Sequence, residues 1–404
     1  MGAWIDFRPL RHAHFRRLWW GGELSTLGSQ LTAVAVLFQM WQITADTAAV
    51  GALGIAQAVP RVIGGLAGGS LADAADRRAV ALLATSGQLL TALLLAAQAW
   101  TGLESMWALL ALAALSAGCS GLGAPARRVF TPRLLPADQV PAGVALDHVG
   151  FQVAMLVGPA LAGGLIGAAG TTACYLLVAA SFGAALHAIA RLPSIRPDGR
   201  GTRPGLAAIR QGWRFVLGSR VLRGVFLNDV LATVLAFPIA LFPAINAERF
   251  GGNPETLGLL MSALALGGLL GGLASGAVTS ARRPGLVMVL AAGTWGVALV
   301  GFGLAQSPWV LLGCLTAAGA ADTTSVICRG SIVLLATPDS HRGRVNAVDP
   351  VVGASGPDLG NFRAGLAADA TSATAAAVSG ALLCAVGVAV QGVRNRPLRE
   401  FTAR

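Results

Sequence analysis

The chain has no lysine; all 29 of its basic residues are arginine. A P-loop lysine and a Schiff-base lysine are therefore excluded. No ATPase motor is visible, so any transport must draw on an ion or substrate gradient. Charge is scarce, at 12% of residues, against roughly 25% in an ordinary soluble domain. The five cysteines, Cys119, Cys174, Cys314, Cys328 and Cys384, all fall in apolar stretches and form no CxxC pair. They read as small buried apolar residues rather than disulfides or metal ligands. No His/Cys cluster has metal-ligand spacing, so neither a metal nor a cofactor is expected. The alternating polar strands of a membrane barrel are absent. No soluble receiver, kinase or binding domain is appended, which counts against a sensor that moves nothing. The net charge of +11 is divided among short gaps rather than gathered in a basic domain, so no nucleic-acid partner is expected.

What is present is apolar and small. Hydrophobic residues make up 55% of the chain and glycine contributes 53 residues, a composition suited to closely packed membrane helices. The apolar stretches read as spans at 18–42, 48–73, 79–100, 104–126, 142–167, 172–191, 219–245, 256–278, 285–305, 308–336, 345–368 and 371–392, each near the length that crosses a bilayer. All arginines except Arg61, Arg249, Arg329 and Arg363 sit in the N-terminal tail, in or beside every second gap, or in the C-terminal tail. That is the positive-inside pattern of a multi-pass membrane protein with both termini cytoplasmic. The Arg-rich N-terminal tail runs straight into a long span, unlike a cleavable signal. Trp41, Trp100, Trp107 and Trp309 mark the outer interface and Trp19 and Trp20 the inner one, whereas Trp295 falls inside a helix.

One gap is long, and it carries prolines, glycines and arginines. It divides the chain into an N-terminal six-helix bundle at 1–192, a cytoplasmic linker at 193–218 and a C-terminal six-helix bundle at 219–404. Its later part, 207–217, has the pattern of an amphipathic helix lying on the inner membrane surface. The halves resemble one another at an offset of about 200 residues. Phe15-Arg16-Arg17-Leu18 aligns with Val221-Leu222-Arg223-Gly224, setting Glu23 opposite Asp229, and Arg128 aligns with Arg329. Repeated halves with a site between them are a recurring transporter design.

Between the second and third spans the chain reads Gly68-Gly69-Ser70-Leu71-Ala72-Asp73-Ala74-Ala75-Asp76-Arg77-Arg78. This resembles the signature loop of the major facilitator superfamily, G-x-L-x-D-x-x-G-R-R in outline, with Asp76 where the outline has glycine. Ser25-x-x-Gly28-Ser29, Pro60, Pro132-Arg133-Leu134-Leu135-Pro136 and Gly343-Arg344-Val345-Asn346-Ala347 are similar to its enterobactin-exporter and macrolide-efflux branch. The resemblance implies the major facilitator fold: an all-α membrane protein of twelve transmembrane helices in two pseudo-symmetric six-helix bundles. It also implies a proton-driven exporter of a small organic molecule, and it assigns a cytoplasmic gate to Gly69, Asp73, Arg77 and Arg78. Two departures bear on antiport. Ala117 stands where a fourth-span antiporter signature has arginine, and Ala162 interrupts the glycines after Gly158-Pro159.

Charges inside spans are costly and mark functional candidates. Glu23, Asp229 and Asp322 are the proton-coupling candidates, because a carboxylate that exchanges a proton for substrate couples the two fluxes. Glu23 has an alternative as a structural partner of Arg16, Arg17 or Arg61, and Asp322 as a hydrogen-bonded helix contact. Arg61, Arg329, Asp358 and Arg363 are cavity or substrate candidates. Arg329 lies two helical turns beyond Asp322 on the same face, too far for a tight pair, so each needs another partner. Pro159 and the run Gly356-Pro357-x-x-Gly360 predict flexible or broken helix, with a tight glycine packing seam as the alternative. The expected partners are a small-molecule substrate, protons and membrane lipids, for a monomer. A uniporter or a carrier of lipid-like substrates remains the alternative to proton coupling, and the substrate itself is not legible.

Overall fold

The computed structural model describes residues 6–196 and 206–402. Side chains are described from 210 onward in the linker helix, and along 339–354 only at 341, 345 and 353. The linker residues 197–205 predicted as a flexible segment lie outside the described residues. Every described element is helical, and no strand occurs among the described residues. Among the described residues, nine helices are long and apolar enough to cross a membrane.

The first half contains α1 (Ala13–Thr44), α2 (Thr47–Ala74), α3 (Arg77–Trp100), α4 (Met106–Arg128), the short α5 (Phe130–Leu134) and α6 (Val140–Ala190). Continuous for 51 residues, α6 nevertheless turns at Gly170, where φ is 81° and ψ 171°. Only glycine adopts that backbone without strain, and the turn separates the predicted fifth and sixth spans. The second half contains α7 (Leu206–Gly218), α8 (Arg220–Ala236), α9 (Phe242–Phe250), α10 (Pro254–Leu273), α11 (Ser275–Thr279), α12 (Pro284–Leu304), α13 (Pro308–Ala336), α14 (Asp339–Ala370), α15 (Ala373–Arg394) and α16 (Arg396–Arg399). With α1 and α14, each 32 residues, and the two arms of α6, this order is consistent with the twelve predicted spans.

Helix ends follow local chemistry. The side chains of Asp76, Ser105, Ser219 and Ser372 accept from the first-turn amides of α3, α4, α8 and α15, satisfying donors that helices leave orphaned. Pro254, Pro284 and Pro308 open α10, α12 and α13, where a missing N–H costs nothing.

The chain forms two compact units. The first comprises residues up to Thr44, Ala56–Thr202 and Asn253–Gly258; the second comprises Ala45–Ile55, Arg203–Gly252 and Leu259 onward. Relative to the sequence halves, the first residues of α2 and of α10 are exchanged. Glycine seams hold the helices of each unit together. A Cβ at Gly64 or Gly68 would collide with the Gly118 or Leu122 carbonyl, and one at Gly121 with the Arg61 carbonyl. About 200 residues later, a Cβ at Gly267 or Gly319 would meet the Thr316 or Leu264 carbonyl. The same backbone-to-backbone approach between α2 and α4 therefore recurs between α10 and α13, as small-residue packing in a membrane predicts.

A few polar contacts tie helices together in the apolar interior. Gln39 Oε1 accepts from Gln98 Nε2 and from the Tyr175 hydroxyl, each at 2.8 Å, tying α1, α3 and α6 together. Trp295 is buried inside α12 and donates to the Ala232 carbonyl at 3.3 Å. Trp100, Trp107 and Trp309 lie more than 70% exposed at helix ends, as belt residues should. Arg249, the one arginine in an arginine-poor gap, donates to the carbonyls of Ala305 (2.5 Å) and Gly303 (2.7 Å) and to the Thr374 hydroxyl (2.5 Å). It therefore closes the end of α12, a structural reason for its departure from the charge pattern.

Candidate functional site

In the second unit, Asp229 and Asn228 lie buried on α8. Arg329 on α13 reaches across to Asp229, with Nη1 2.5 Å from Oδ2, and both side chains are about nine-tenths buried. Asp322, two turns earlier on α13, lies within electrostatic reach of both Asp229 and Arg329. Asp229 holds the ion pair with Arg329, and Asp322 is a second carboxylate at longer range. The expected separation of Asp322 and Arg329 holds, and the partner that Arg329 requires is Asp229. Gly353 of α14 faces the guanidinium, whose Nη2 would be 3.4 Å from a Cβ there.

Pro238 breaks the seventh span. Its ring nitrogen cannot donate to the carbonyl of Val234 four residues earlier, and α8 stops at Ala236. Arg363 supplies the missing donors: Nε gives to the Val234 carbonyl at 2.9 Å and Nη2 to the Leu235 carbonyl at 2.5 Å. Asn361 Oδ1 accepts from the Ala240 amide at 3.0 Å just beyond the break. The guanidinium of Arg363 is therefore committed to the backbone of a broken helix, as irregular membrane backbone requires.

The Gly356–Gly360 run behaves as a seam rather than a break. Helix α14 is continuous from Asp339 to Ala370. A Cβ at Gly356 would meet the Thr233 hydroxyl, and one at Gly360 the Thr233 carbonyl. The Asp358 carbonyl lies where a Gly54 Cβ would be. The irregular backbone expected in α14 occurs instead at Phe237–Pro238. Pro159 likewise sits inside continuous α6, with its carbonyl packed on Gly258.

In the first unit two small cavities adjoin. One, of about 230 Å³, is lined by Ser29, Gln30, Gln57, Arg61, Gln88 and Ser116, and Arg61 Nη2 donates to Gln57 Oε1 at 3.4 Å. The other, of about 210 Å³, is lined by Glu23, Ser25, Arg127, Thr131, Asp147 and Phe151. The Glu23 carboxylate lies over Gly150, where any Cβ would displace it. Its Oε2 is buried without a hydrogen bond, and Asp147 is close enough to repel it. No ion pair links Glu23 to Arg16, Arg17 or Arg61 among the described residues. Thr131 donates to Asp147 Oδ2 at 2.8 Å.

Arg127 joins the two cavities. Its guanidinium donates to Thr85 Oγ1 at 2.9 Å, Gln88 Oε1 at 3.0 Å and Ser25 Oγ at 3.4 Å. The repeat register pointed to Arg128, which is exposed; the inward arginine is its neighbour. Gly123, one turn earlier on the same face, clears the space that Arg127 uses. That spacing was the available signal. Asp147 could have been found from its place on a face with Gly143 and Gly150.

The signature loop is organised by Asp76, the residue that replaces glycine in the family outline. Asp76 Oδ1 accepts from the amides of Arg78 (2.9 Å) and Ile195 (3.0 Å). Burial alone would raise its carboxyl, but bonds from the Ile195 amide, the Ser194 hydroxyl and the Arg78 amide, with the Arg78 charge, hold it below the usual range. The Arg77 amide bonds the Ile195 carbonyl at 3.1 Å, and Arg78 donates to the Ala190 carbonyl. The loop is thus clasped to the end of α6. Asp73 is half-buried and makes no hydrogen bond or ion pair among the described residues, and Gly69 has open space around it.

The family described as Transmembrane secretion effector matches residues 5–403. Curated relatives include the Enterobactin exporter EntS of Shigella boydii serotype 18, 28% identical over 379 residues covering 93% of this chain and 91% of that protein. Its Escherichia coli O139:H28 counterpart is 27% identical over the same shares. Among solved structures, the nucleoside transporter NupG aligns with a TM-score of 0.75 at 15% identity over 96% of this chain and all of that one. A bacterial homologue of the lysosomal transporter Spinster aligns at 0.71 and 16% over 98% and 97%; these two show the fold. The near-full-length match, the signature loop and the helical fold make this chain a multi-pass membrane protein of the Transmembrane secretion effector family, within the major facilitator superfamily.

Proposed function

We propose that this chain is a secondary transporter that exports a small organic molecule and is driven by proton entry. The observation that carries the reading is the buried set Asp229–Arg329–Asp322. Two carboxylates and one guanidinium carry a net negative charge in an apolar place, and taking up one proton neutralises the set. The Arg329 guanidinium pairs with Asp229 and feels the charge of Asp322, so protonation of either acid shifts its balance between two arrangements. Such a bistable element is what coupling requires. Glu23 with Asp147 supplies a second titratable pair in the other repeat.

The cargo reading rests on two supports. The curated relatives are enterobactin exporters. The cavity of Gln30, Gln57, Gln88 and Arg61 offers amide, hydroxyl and guanidinium donors suited to a polar, oxygen-bearing molecule. Transport proceeds by alternating access, with 1–192 and 219–404 as the moving bundles and both termini cytoplasmic. Asp73, beside the Asp76 clasp, acts as the cytoplasmic gate, and a monomer carries a complete path.

Purified protein in liposomes, offered a panel of siderophores and macrolides, tests the reading. A pH gradient drives counter-transport of at least one compound, and Asp322→Asn abolishes the drive while leaving passive exchange. Transport indifferent to the gradient makes the chain a uniporter or lipid-type carrier instead.

A further inference from the structure

The arginine-bearing ends of α8 and α15 enclose a groove of about 530 Å³. Its rim carries Arg220, Arg223 and Arg394, all exposed. None of these guanidinium groups makes an ion pair or side-chain hydrogen bond among the described residues. Beyond the rim the wall is aliphatic, formed by Leu227, Leu231 and Val390. Gly224 and Gly387 let neighbouring side chains pack at the floor and wall of the groove: a Cβ at Gly224 would strike Asn395 Nδ2, and one at Gly387 would meet Leu231. Its floor is pinned where Gln391 Nε2 donates to the Gly224 carbonyl at 2.8 Å and Asn395 Nδ2 to the Arg220 carbonyl at 2.9 Å.

The first unit has a counterpart of about 260 Å³ between the start of α1 and the end of α6. Its rim is Arg16, Arg17 and Arg191, and its wall includes Trp20 and Leu24. The repeat aligns Arg17 with Arg223, and both grooves lie between the first and last long helical segments of their half. No acidic side chain lines either one. Each groove sets three guanidinium groups beside an apolar wall, aliphatic in the second unit and including Trp20 beside His187 in the first.

We propose that the two grooves are paired binding sites for anionic phospholipids, with the headgroup phosphate held by the arginine triad and an acyl chain lying along the apolar wall. Guanidinium groups match phosphate oxygens geometrically. The apolar wall beyond the rim argues for a ligand with a hydrocarbon tail, since a free anion would use only the rim. Basic pockets between membrane helices take acidic headgroups for the same reasons. The inference rests on membrane insertion alone, so it stands or falls independently of proton-driven export.

Native mass spectrometry of the full chain, released from nanodiscs containing phosphatidylglycerol, counts the sites. The wild type retains two phosphatidylglycerol molecules. The triple variant R220Q/R223Q/R394Q retains one, as does R16Q/R17Q/R191Q, and neither groove holds phosphatidylcholine. Two retained lipids in both variants, or equal retention of phosphatidylcholine, overturns the proposal. Thermal unfolding of the wild type provides a readout that needs no variant. Phosphatidylglycerol raises the midpoint by several degrees, whereas phosphatidylcholine and glycerol phosphate do not. An equal rise with glycerol phosphate identifies a free-anion site and overturns the lipid assignment.

Discussion

Replacing Arg329 with glutamine tests the energetic core of the second unit. The substitution leaves Asp229 without its cation and with Asp322 still within electrostatic reach. Both partners of the ion pair are about nine-tenths buried, so water cannot replace the lost contact. Removing one member of such a pair costs about 3–5 kcal/mol, mostly the penalty of the charge left behind. For a unit of this size each kcal/mol moves the midpoint by roughly 2–4 °C, so R329Q lowers thermal stability at neutral pH on the order of 10 °C. The double variant D229N/R329Q leaves no opposed carboxylates. It therefore recovers most of the loss, with a coupling energy on the order of 2 kcal/mol. Fluorescence-monitored unfolding of detergent-purified protein at pH 7.5, with the four members of the cycle compared side by side, reads both quantities. A double variant as unstable as the sum of its singles would refute the reasoning, because the two side chains would then be acting separately.

Three other outcomes follow from named contacts. Asp76→Ala removes the cap of α3 and costs about 1 kcal/mol, read as faster amide exchange at 77–80 and at Ile195. Because the folded carboxyl lies below its ordinary value of 3.8, the wild-type advantage is complete above about pH 5 and disappears as pH falls through the folded value, below about pH 4; an advantage that persists at pH 3 contradicts the clasp. Arg363→Gln strips the Val234 and Leu235 carbonyls of their donors, at about 1–3 kcal/mol for each group left unpaired, seen as a lower unfolding midpoint. Gly319→Val drives a side chain into the Leu264 carbonyl and destabilises by at least about 1–3 kcal/mol, whereas Gly330→Ala, with open space around it, stays within about 0.5 kcal/mol.

Much of the fold was legible because bilayer insertion imposes coarse rules. Length, apolarity and arginine placement located the spans, and the short gap at Gly170 coincides with the turn in α6. The signature loop and the spacing of Asp322 and Arg329 were also readable. What escaped the sequence depends on rotation about helix axes and on exact register. Short repeat matches set Arg128 against Arg329, but a one-residue rotation turns Arg127 inward instead. Asp76 looked like a departure from the family outline, yet its cap and its bond to Ile195 lie 119 residues apart in sequence. Glycine and proline in α14 suggested broken helix, whereas neighbouring Thr233 turns those glycines into a packing seam. The real break, at Pro238, was masked by the strongly apolar residues around it.

The central claim is that buried carboxylates couple export to proton entry. The most direct measurement is proton movement in liposomes loaded with a pH-sensitive dye, with the panel compound that the wild type transports added to one side. The account predicts substrate-dependent proton flux in the opposite direction, lost in Asp322→Asn and Asp229→Asn but retained in Asp147→Glu. Substrate movement with no accompanying proton flux in the wild type, or undiminished flux in both asparagine variants, contradicts it.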